Sequence, residues 1–357
     1  MRLPALVAPM RIHAPDPGNN FDAVRIALAA MVVLPHLAAL SAAPLLAPLG
    51  AWIDSDFAVK GFFAISGYLV TGSWRSSRSS ADFALRRLRR IYPAYLCALL
   101  LCLAIGLATT TLEAPAFLSS GDTLRYIGWN AIFLNFMHPT LPGVFAGNAL
   151  QAMDGALWTI KIEVALYACV PLIARAFARL GAPLVTVLLV TGSCLWVWYF
   201  RDYIGGPGGA ELARQFPGQL SYFALGALLA WQPTLMKKLG TPLAVALVLF
   251  VACRDTPLRI AIEPFFYAGT VLFLATQAAP SLRAGRFGDL SYGIYLYHFP
   301  IIQLLVHLAL FDTGSAAGCV GLVAVTAALT GLTALASWHA VEKRLLRRAT
   351  RVPEQAQ

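Results

Sequence analysis

Five side chains stand where an apolar chain has little ordinary use for them. Arg25 and His36 lie in "FDAVRIALAAMVVLPH", Glu163 in "LWTIKIEVALY", and Tyr295 and His298 in "LSYGIYLYHFP". An ionisable group surrounded by hydrocarbon costs several kcal/mol unless it faces an interior partner, so each is a candidate for chemistry. On a helix, the eleven positions from Arg25 to His36 turn through about 1100°, or three turns plus roughly 20°. The two therefore share a face, about 16 Å apart along the axis. Pro35, just before His36, removes one backbone donor and weakens the helix locally. An imidazole here would serve as a general base or a nucleophile, and a neighbouring carboxylate would fix its tautomer and raise its basicity. Counted from opposite sides of a core about 30 Å thick, His36 lies about 21 Å from the inner boundary and Glu163 about 10 Å from the outer one. The two depths match, and a His36–Glu163 pair is expected. Tyr295 and His298, at i and i+3, share a face placed in the cytoplasmic half; they form either a cavity wall or ordinary helix packing with an internal hydrogen bond.

Such residues need helices that cross a bilayer. The 357 residues are 59% hydrophobic and 12% charged, with a mean hydropathy of +0.68, whereas an ordinary soluble domain is roughly 25% charged. The apolar runs, cut by Pro, Gly and charge, predict an all-α polytopic membrane bundle of about ten spans, each needing about 20 residues. They fall near 22–42, 57–73, 91–111, 156–174, 183–200, 217–232, 239–253, 260–278, 291–311 and 317–340. The organisation expected is an N-terminal cytoplasmic segment 1–21, a transmembrane domain 22–340 and a basic cytoplasmic tail 341–357. "RYIGWNAIFLNFM" is apolar but too short to span, and reads as a re-entrant or interfacial piece of a long outer loop near 112–155. That loop holds Asn130, Asn135, His138 and Asp154, which suit either sugar contact or a lid packed on the bundle.

The net charge of +10 does not point to nucleic acid, because the basic residues segregate by loop. With the N-terminus inside, nineteen fall on the inner side and only Lys60, Arg125, Arg201, Arg214, Arg254 and Arg259 on the outer side, as cytoplasmic retention of positive charge requires. Both termini are then cytoplasmic. Arg86, Arg87, Arg89 and Arg90 form a denser cluster, suited to lipid headgroups or to forked contacts with the phosphates of a soluble anion. Ser66-Gly67 permits close helix approach. The six cysteines have no metal-ligand spacing and read as buried free thiols. No metal site is expected, and "MRLPALVAPM" is too short and Pro-interrupted for a secretory leader.

The stretches "FDAVRIALAAMVVLPH", "GFFAISGYLV", "RRLRRIYPAY", "LWTIKIEVALYACVPL", "LSYGIYLYHFP" and "WHAVEKR" occur in this order over essentially the whole chain. With them the sequence resembles the acyltransferase-3 family of integral membrane acyltransferases, which includes polysaccharide O-acetyltransferases. The resemblance implies a ten-span bundle in the bacterial inner membrane. It takes an acyl group, acetyl being usual, from cytoplasmic acyl-CoA to a hydroxyl of a glycan or lipid-linked saccharide at or beyond the outer face. On matching positions it makes His36 and Glu163 catalytic and assigns Arg25, Ser66, Arg87, Arg90, Tyr295 and His298 to the acyl-CoA path; Glu342 matches a carboxylate near the final span. Two departures stand out: Lys161 where a small or apolar residue is expected, and "EKR" where the family often has Glu-Arg-Pro. The hydrolase-like domain fused to some relatives is expected to be absent.

Two chemistries are open at His36: general base towards the acceptor hydroxyl, with Glu163 steadying the imidazolium, or covalent acyl carrier. The first needs no covalent step and is preferred. The rival class is a multi-span transporter of a lipid-linked sugar or small anion, which would use the same buried charges as a relay.

Overall fold

A computed structural model describes residues 19–282 and 284–350, and no strand occurs among them. The basic residues Arg2, Arg11, Arg283 and Arg351, used above for topology, lie outside the described residues. The principal helices are α1 (Phe21–Ser41), α2 (Ser55–Arg75), α3 (Ser80–Thr109), α4 (Gly121–Ala131), α5 (Trp158–Leu180), α6 (Ala182–Val197), α7 (Gly206–Ala213), α8 (Phe216–Trp231), α9 (Gly240–Ala252), α10 (Arg259–Thr276), α11 (Leu290–His307), α12 (Ala316–Ser337) and α13 (Lys343–Thr350). Wide π turns extend α6 over Trp198–Ile204 and join α12 to α13 over Trp338–Glu342.

Each apolar run picked out above lies on one of these helices. Among the described residues, five segments are long and apolar enough to cross a membrane: Phe21–Ser41, Ser80–Thr109, Ala182–Ile204, Arg259–Thr276 and Ala316–Leu346. α8 and α9 are shorter, at 16 and 13 residues, while α2, α5 and α11 carry the polar side chains described below. Large apolar groups face outward, among them Leu184, Val187, Leu188 and Leu195 on α6 and Val245, Val248 and Val251 on α9; Thr186, Ser193, Gln219, Ser221 and Glu263 are buried. Hydrocarbon outside and polar groups inside is the arrangement lipid imposes. The six cysteines are all free.

The chain divides into two compact units. The first contains residues up to Arg25, Asp56–Leu85 and Ile162–Ala284. Here Asn20 fixes the entry to α1: its backbone N–H donates to the Ala275 carbonyl at 2.8 Å, its Nδ2 donates to the Ala278 carbonyl at 2.8 Å, and its Oδ1 accepts from the Leu282 N–H at 2.8 Å. α2 and α8 meet backbone to backbone. A methyl group at Gly67 would lie 2.1 Å from the Phe223 carbonyl oxygen, and one at Gly226 would lie 2.1 Å from the Ala64 carbonyl oxygen. Small residues let helices approach this closely in a membrane. Ser193 joins α6 to α8, donating to the Gly218 carbonyl and accepting from the Ser221 N–H, both at 3.1 Å.

The second unit contains Ile26–Ser55, Arg86–Lys161 and the residues from Gly285 onward. α11 is its central helix, buried on every side from Tyr295 to Gln303. Its tyrosines tie it to its neighbours: the Tyr292 hydroxyl donates to the Ile91 carbonyl at 3.1 Å, and the Tyr297 hydroxyl donates to Ser337 Oγ at 2.6 Å. The connection after α3 folds inward on Phe117, Tyr126, Leu141, Phe145 and Met153, packed against Cys102 and Ile105. Fully buried Gln303 stitches it to α11: its Nε2 donates to the Leu150 and Ala152 carbonyls at 2.6 and 2.8 Å, and its Oε1 accepts from Asn148 at 2.8 Å. Asn130 and Asp154 also serve this packing, since Asn130 Nδ2 donates to the Tyr126 and His138 carbonyls and Asp154 Oδ1 accepts the Ala156 N–H. Burial holds the Asp154 carboxyl well above the usual carboxylate range.

A backbone-on-backbone crossing has no soft atom to yield. Gly226→Ala should therefore destabilise the protein by about 1–3 kcal/mol or prevent its folding, read as a lowered thermal midpoint in detergent. Gly331→Ala, where a methyl group meets nothing within 4 Å, should leave the midpoint unchanged.

Candidate active site

Two histidines meet in the second unit. His36 Nδ1 lies 2.8 Å from His298 Nε2, and the rings stack with centroids 5.1 Å apart. His298 is fully buried, while His36 keeps partial exposure. The other nitrogen of His298 decides the proton order. His298 Nδ1 lies 2.7 Å from the Tyr295 carbonyl oxygen and 3.2 Å from that of Ile294. A carbonyl only accepts, so Nδ1 carries the hydrogen, and in neutral His298 Nε2 is a lone pair. That lone pair accepts from His36 Nδ1–H. Neutral His36 is thereby fixed with its lone pair on Nε2, the nitrogen that would receive a proton or attack a carbonyl.

The surroundings hold this pair in place. Phe299 turns its edge to the His36 ring, with centroids 5.3 Å apart, and Gly155 lets the loop backbone approach Phe299, since a methyl group there would lie 2.7 Å from the ring. Tyr295 Oη shares a hydrogen bond with Thr159 Oγ1 at 2.8 Å and donates to the Ala156 carbonyl at 3.2 Å. The helix that carries His298 is thus anchored within one turn of it. Pro35 and Pro300 sit beside or near the two histidines, each removing one backbone donor from its helix.

Glu163 has its own cluster in the first unit. Its Oε1 accepts from Ser66 Oγ at 3.2 Å and from the Tyr167 hydroxyl in a shorter bond. His298 is a hydrogen-bond partner of His36 that the depth count did not find. Counting depth from helix ends missed this pairing, because it set His298 in the inner half and His36 beyond the midplane. The count assumes that every helix enters at one level, and the direct hydrogen bond shows that α1 and α11 do not. Tyr167 was not singled out, although it follows Glu163 at i+4, where side chains on a helix meet.

Arg90 enters a network of its own: it pairs with Asp289, its Nη1 lies 3.6 Å from Glu342 Oε2, and its guanidinium lies 5.1 Å from the Tyr292 ring centroid. Ser291 donates to Asp289 at 3.0 Å and Ser337 donates to Glu342 Oε1 at 3.0 Å. Arg90 and Glu342, identified separately in the sequence, are brought together. Asp289 was missed; its position just before an apolar helix marks a helix start, which gives no hint of an arginine partner from α3. Arg87 stands one turn before Arg90 on α3 and is half-buried, as is Arg25 on α1. Lys161 Nζ sits 4.3 Å from the Phe136 ring centroid, a cation–π contact that suits a lysine at this unexpected position.

A family model described as an acyltransferase domain, that of the acyltransferase-3 family, matches residues 19–340. Nodulation protein 10 of Rhizobium leguminosarum bv. viciae is 30% identical over 331 residues, covering 84% of this chain and 87% of that protein. An O-acetyl transferase of Shigella phage Sf6 is 27% identical and covers 93% of this chain and 97% of its own. A peptidoglycan O-acetyltransferase of Listeria monocytogenes serovar 1/2a is 25% identical over 71% of this chain and 46% of its own. No solved structure matches the chain. The match over residues 19–340 carries the first five sequence motifs, the start of the sixth and both histidines, and the chain belongs to the acyltransferase-3 family as an integral membrane O-acyltransferase.

Proposed function

We propose that the protein moves an acyl group, acetyl, from cytoplasmic acyl-CoA to a hydroxyl of a cell-envelope or exported glycan, with His36 as general base. The observation that carries this reading is the 2.8 Å hydrogen bond from His36 Nδ1 to His298 Nε2, which leaves His36 Nε2 as the basic nitrogen. In the reaction His36 Nε2 takes the proton of the acceptor hydroxyl as its oxygen attacks the thioester carbonyl. A C–O bond forms, the C–S bond breaks, and the imidazolium returns the proton to the leaving thiolate. His298 accepts a stronger hydrogen bond while His36 is cationic, which stabilises the charged stage. Base catalysis is favoured over an acyl-imidazole because the histidine pair supports an imidazolium and no covalent stage is required.

The remaining assignments follow the same reading. The helices form a ten-span bundle in the bacterial inner membrane with both termini in the cytoplasm, as the segregation of basic residues requires. Arg25 and Arg87 contact the CoA phosphates at the cytoplasmic mouth. Arg90, already held by Asp289 and Glu342, orients that mouth. Tyr295 positions the donor path through His298, and Glu163, held by Ser66 and Tyr167, keeps the catalytic role that its motif implies. Acetyl is the group named for the phage and Listeria relatives. Membership of an acyltransferase family argues against the transporter alternative, which needs no acyl donor.

His36→Ala, assayed in membranes with labelled acetyl-CoA, should lower acceptor labelling by roughly 10²–10⁴-fold; labelling at the wild-type rate would eliminate the mechanism. His298→Leu should lower kcat on the order of 10² with KM for acetyl-CoA little changed, and His298→Gln, whose amide oxygen can accept from His36, should recover part of it. A structural role alone would give no such recovery. The two arginines should separate: Arg87→Ala raises KM for acetyl-CoA about tenfold, whereas Arg90→Ala removes the cation that lies between Asp289 and Glu342 and costs about 3 kcal/mol of stability, seen as a lower thermal midpoint.

A further inference from the structure

The first unit contains a polar cavity of about 190 Å³ that the chemistry at His36 does not use. Lys60, Glu263, Tyr222 and Gln219 line it, with Asp56, Arg201 and Arg214 among its other polar groups. Lys60 Nζ donates to Glu263 Oε1 at 2.5 Å and also pairs with Asp56. The Tyr222 hydroxyl donates to the same Glu263 oxygen at 2.7 Å, and Arg259 Nε lies 3.4 Å from the other. Glu263 is 4% exposed, so this is an interior network and not a solvated surface pair.

Two features of the wall select a ligand. Each of its cations already has a carboxylate partner: Lys60 has Asp56 and Glu263, Arg201 has Asp202, and Arg214 has Glu211. An entering phosphate would have to displace one of these pairs. Gln219, only 3% exposed, donates its Nε2 to the Arg214 carbonyl at 3.0 Å, yet its Oε1 is buried without a partner. A buried acceptor left unpaired costs about 1–3 kcal/mol, and this one belongs to a side chain that lines the cavity. Val197, Ala213, Ile260 and Pro264 supply apolar patches between the polar groups. A neutral ring bearing hydroxyl groups meets all of these demands: its O–H groups donate to Gln219 Oε1 and Asp56, and its C–H faces pack on the apolar patches.

We propose that this cavity is a binding site for one neutral sugar unit of the acceptor glycan. The assignment rests on the glycan-acceptor reading above, and on its topology, in which Lys60, Arg201, Arg214 and Arg259 all belong to the outer set. Sequence reasoning spread these residues over separate loops and assigned them to topology alone. Lys60 in "FAVKGFFAISGYLV" pairs with a carboxylate 203 positions away, a contact that spacing does not reveal.

The test is binding by the purified full-length protein in lipid nanodiscs, without any acyl donor, read by saturation-transfer NMR. The probes are the methyl glycosides of glucose, galactose and N-acetylglucosamine, with inorganic phosphate as the charged comparison. At least one glycoside should bind saturably and phosphate should not. Gln219→Leu should weaken that binding at least tenfold with no fall in thermal midpoint, and Ala210→Trp, which fills the cavity from its wall, should abolish it. His36→Gln should bind the glycoside as wild type does, so a failed base mechanism and a failed sugar site give different results. Absence of saturable binding by all three glycosides would mean a water-filled cavity only and would overturn the proposal, as would equal binding by wild type and both cavity variants, or preferential binding of phosphate.

Discussion

The proposed chemistry depends on a directed row of hydrogen bonds. The Tyr295 carbonyl can only accept, so His298 Nδ1 donates to it; His298 Nε2 must then accept, so His36 Nδ1 donates in turn. One backbone carbonyl therefore determines, two rings away, which nitrogen of His36 holds the lone pair. Much of the second unit keeps this row straight. Tyr295 anchors the same turn through Thr159 and the Ala156 carbonyl, Tyr292 and Tyr297 bind neighbouring helices, and Phe299 bounds the His36 ring. A helix buried on all sides has few ways to rotate, and the imidazole it carries is correspondingly preorganised.

The same economy appears where charges are buried. Arg90 sits among Asp289, Glu342 and the Tyr292 ring, and Lys60 among Asp56, Glu263 and two tyrosine rings. Isolated, any of these ions would be too costly inside an apolar bundle. Grouped, they hold together segments far apart in the chain, while the Gln219 oxygen is among the buried polar atoms that have no hydrogen-bond partner.

Much of the fold was legible in the sequence because lipid imposes long apolar helices with Pro, Gly and charge at their ends, and each expected run is helical in the structure. The individual candidate residues stood out too, since His36, His298, Glu163 and Arg90 are all expensive where they stand. Their partnerships were not. Helical periodicity reports which residues share a face of one helix, as with Glu163 and Tyr167, but carries no information on the relative height of two helices. The depth count offered Glu163 as a neighbour of His36 and gave no sign of His298, which hydrogen-bonds to it from α11. The loop before α5 shows the same limit: its aromatic residues suited sugar contact or internal packing equally, and Phe117, Tyr126 and Phe145 turn inward.

The central claim is the proton order at the histidine pair, and nitrogen-15 NMR of histidine-labelled protein in nanodiscs measures it most directly, with His36→Gln and His298→Gln samples assigning the signals. At a pH where both rings are neutral, His36 should show a protonated Nδ1 and an unprotonated Nε2, and His298 the same tautomer with its Nε2 shifted by the bond it accepts. A spectrum in which neutral His36 carries its proton on Nε2 would contradict the account, because the nitrogen assigned as base would then hold no lone pair.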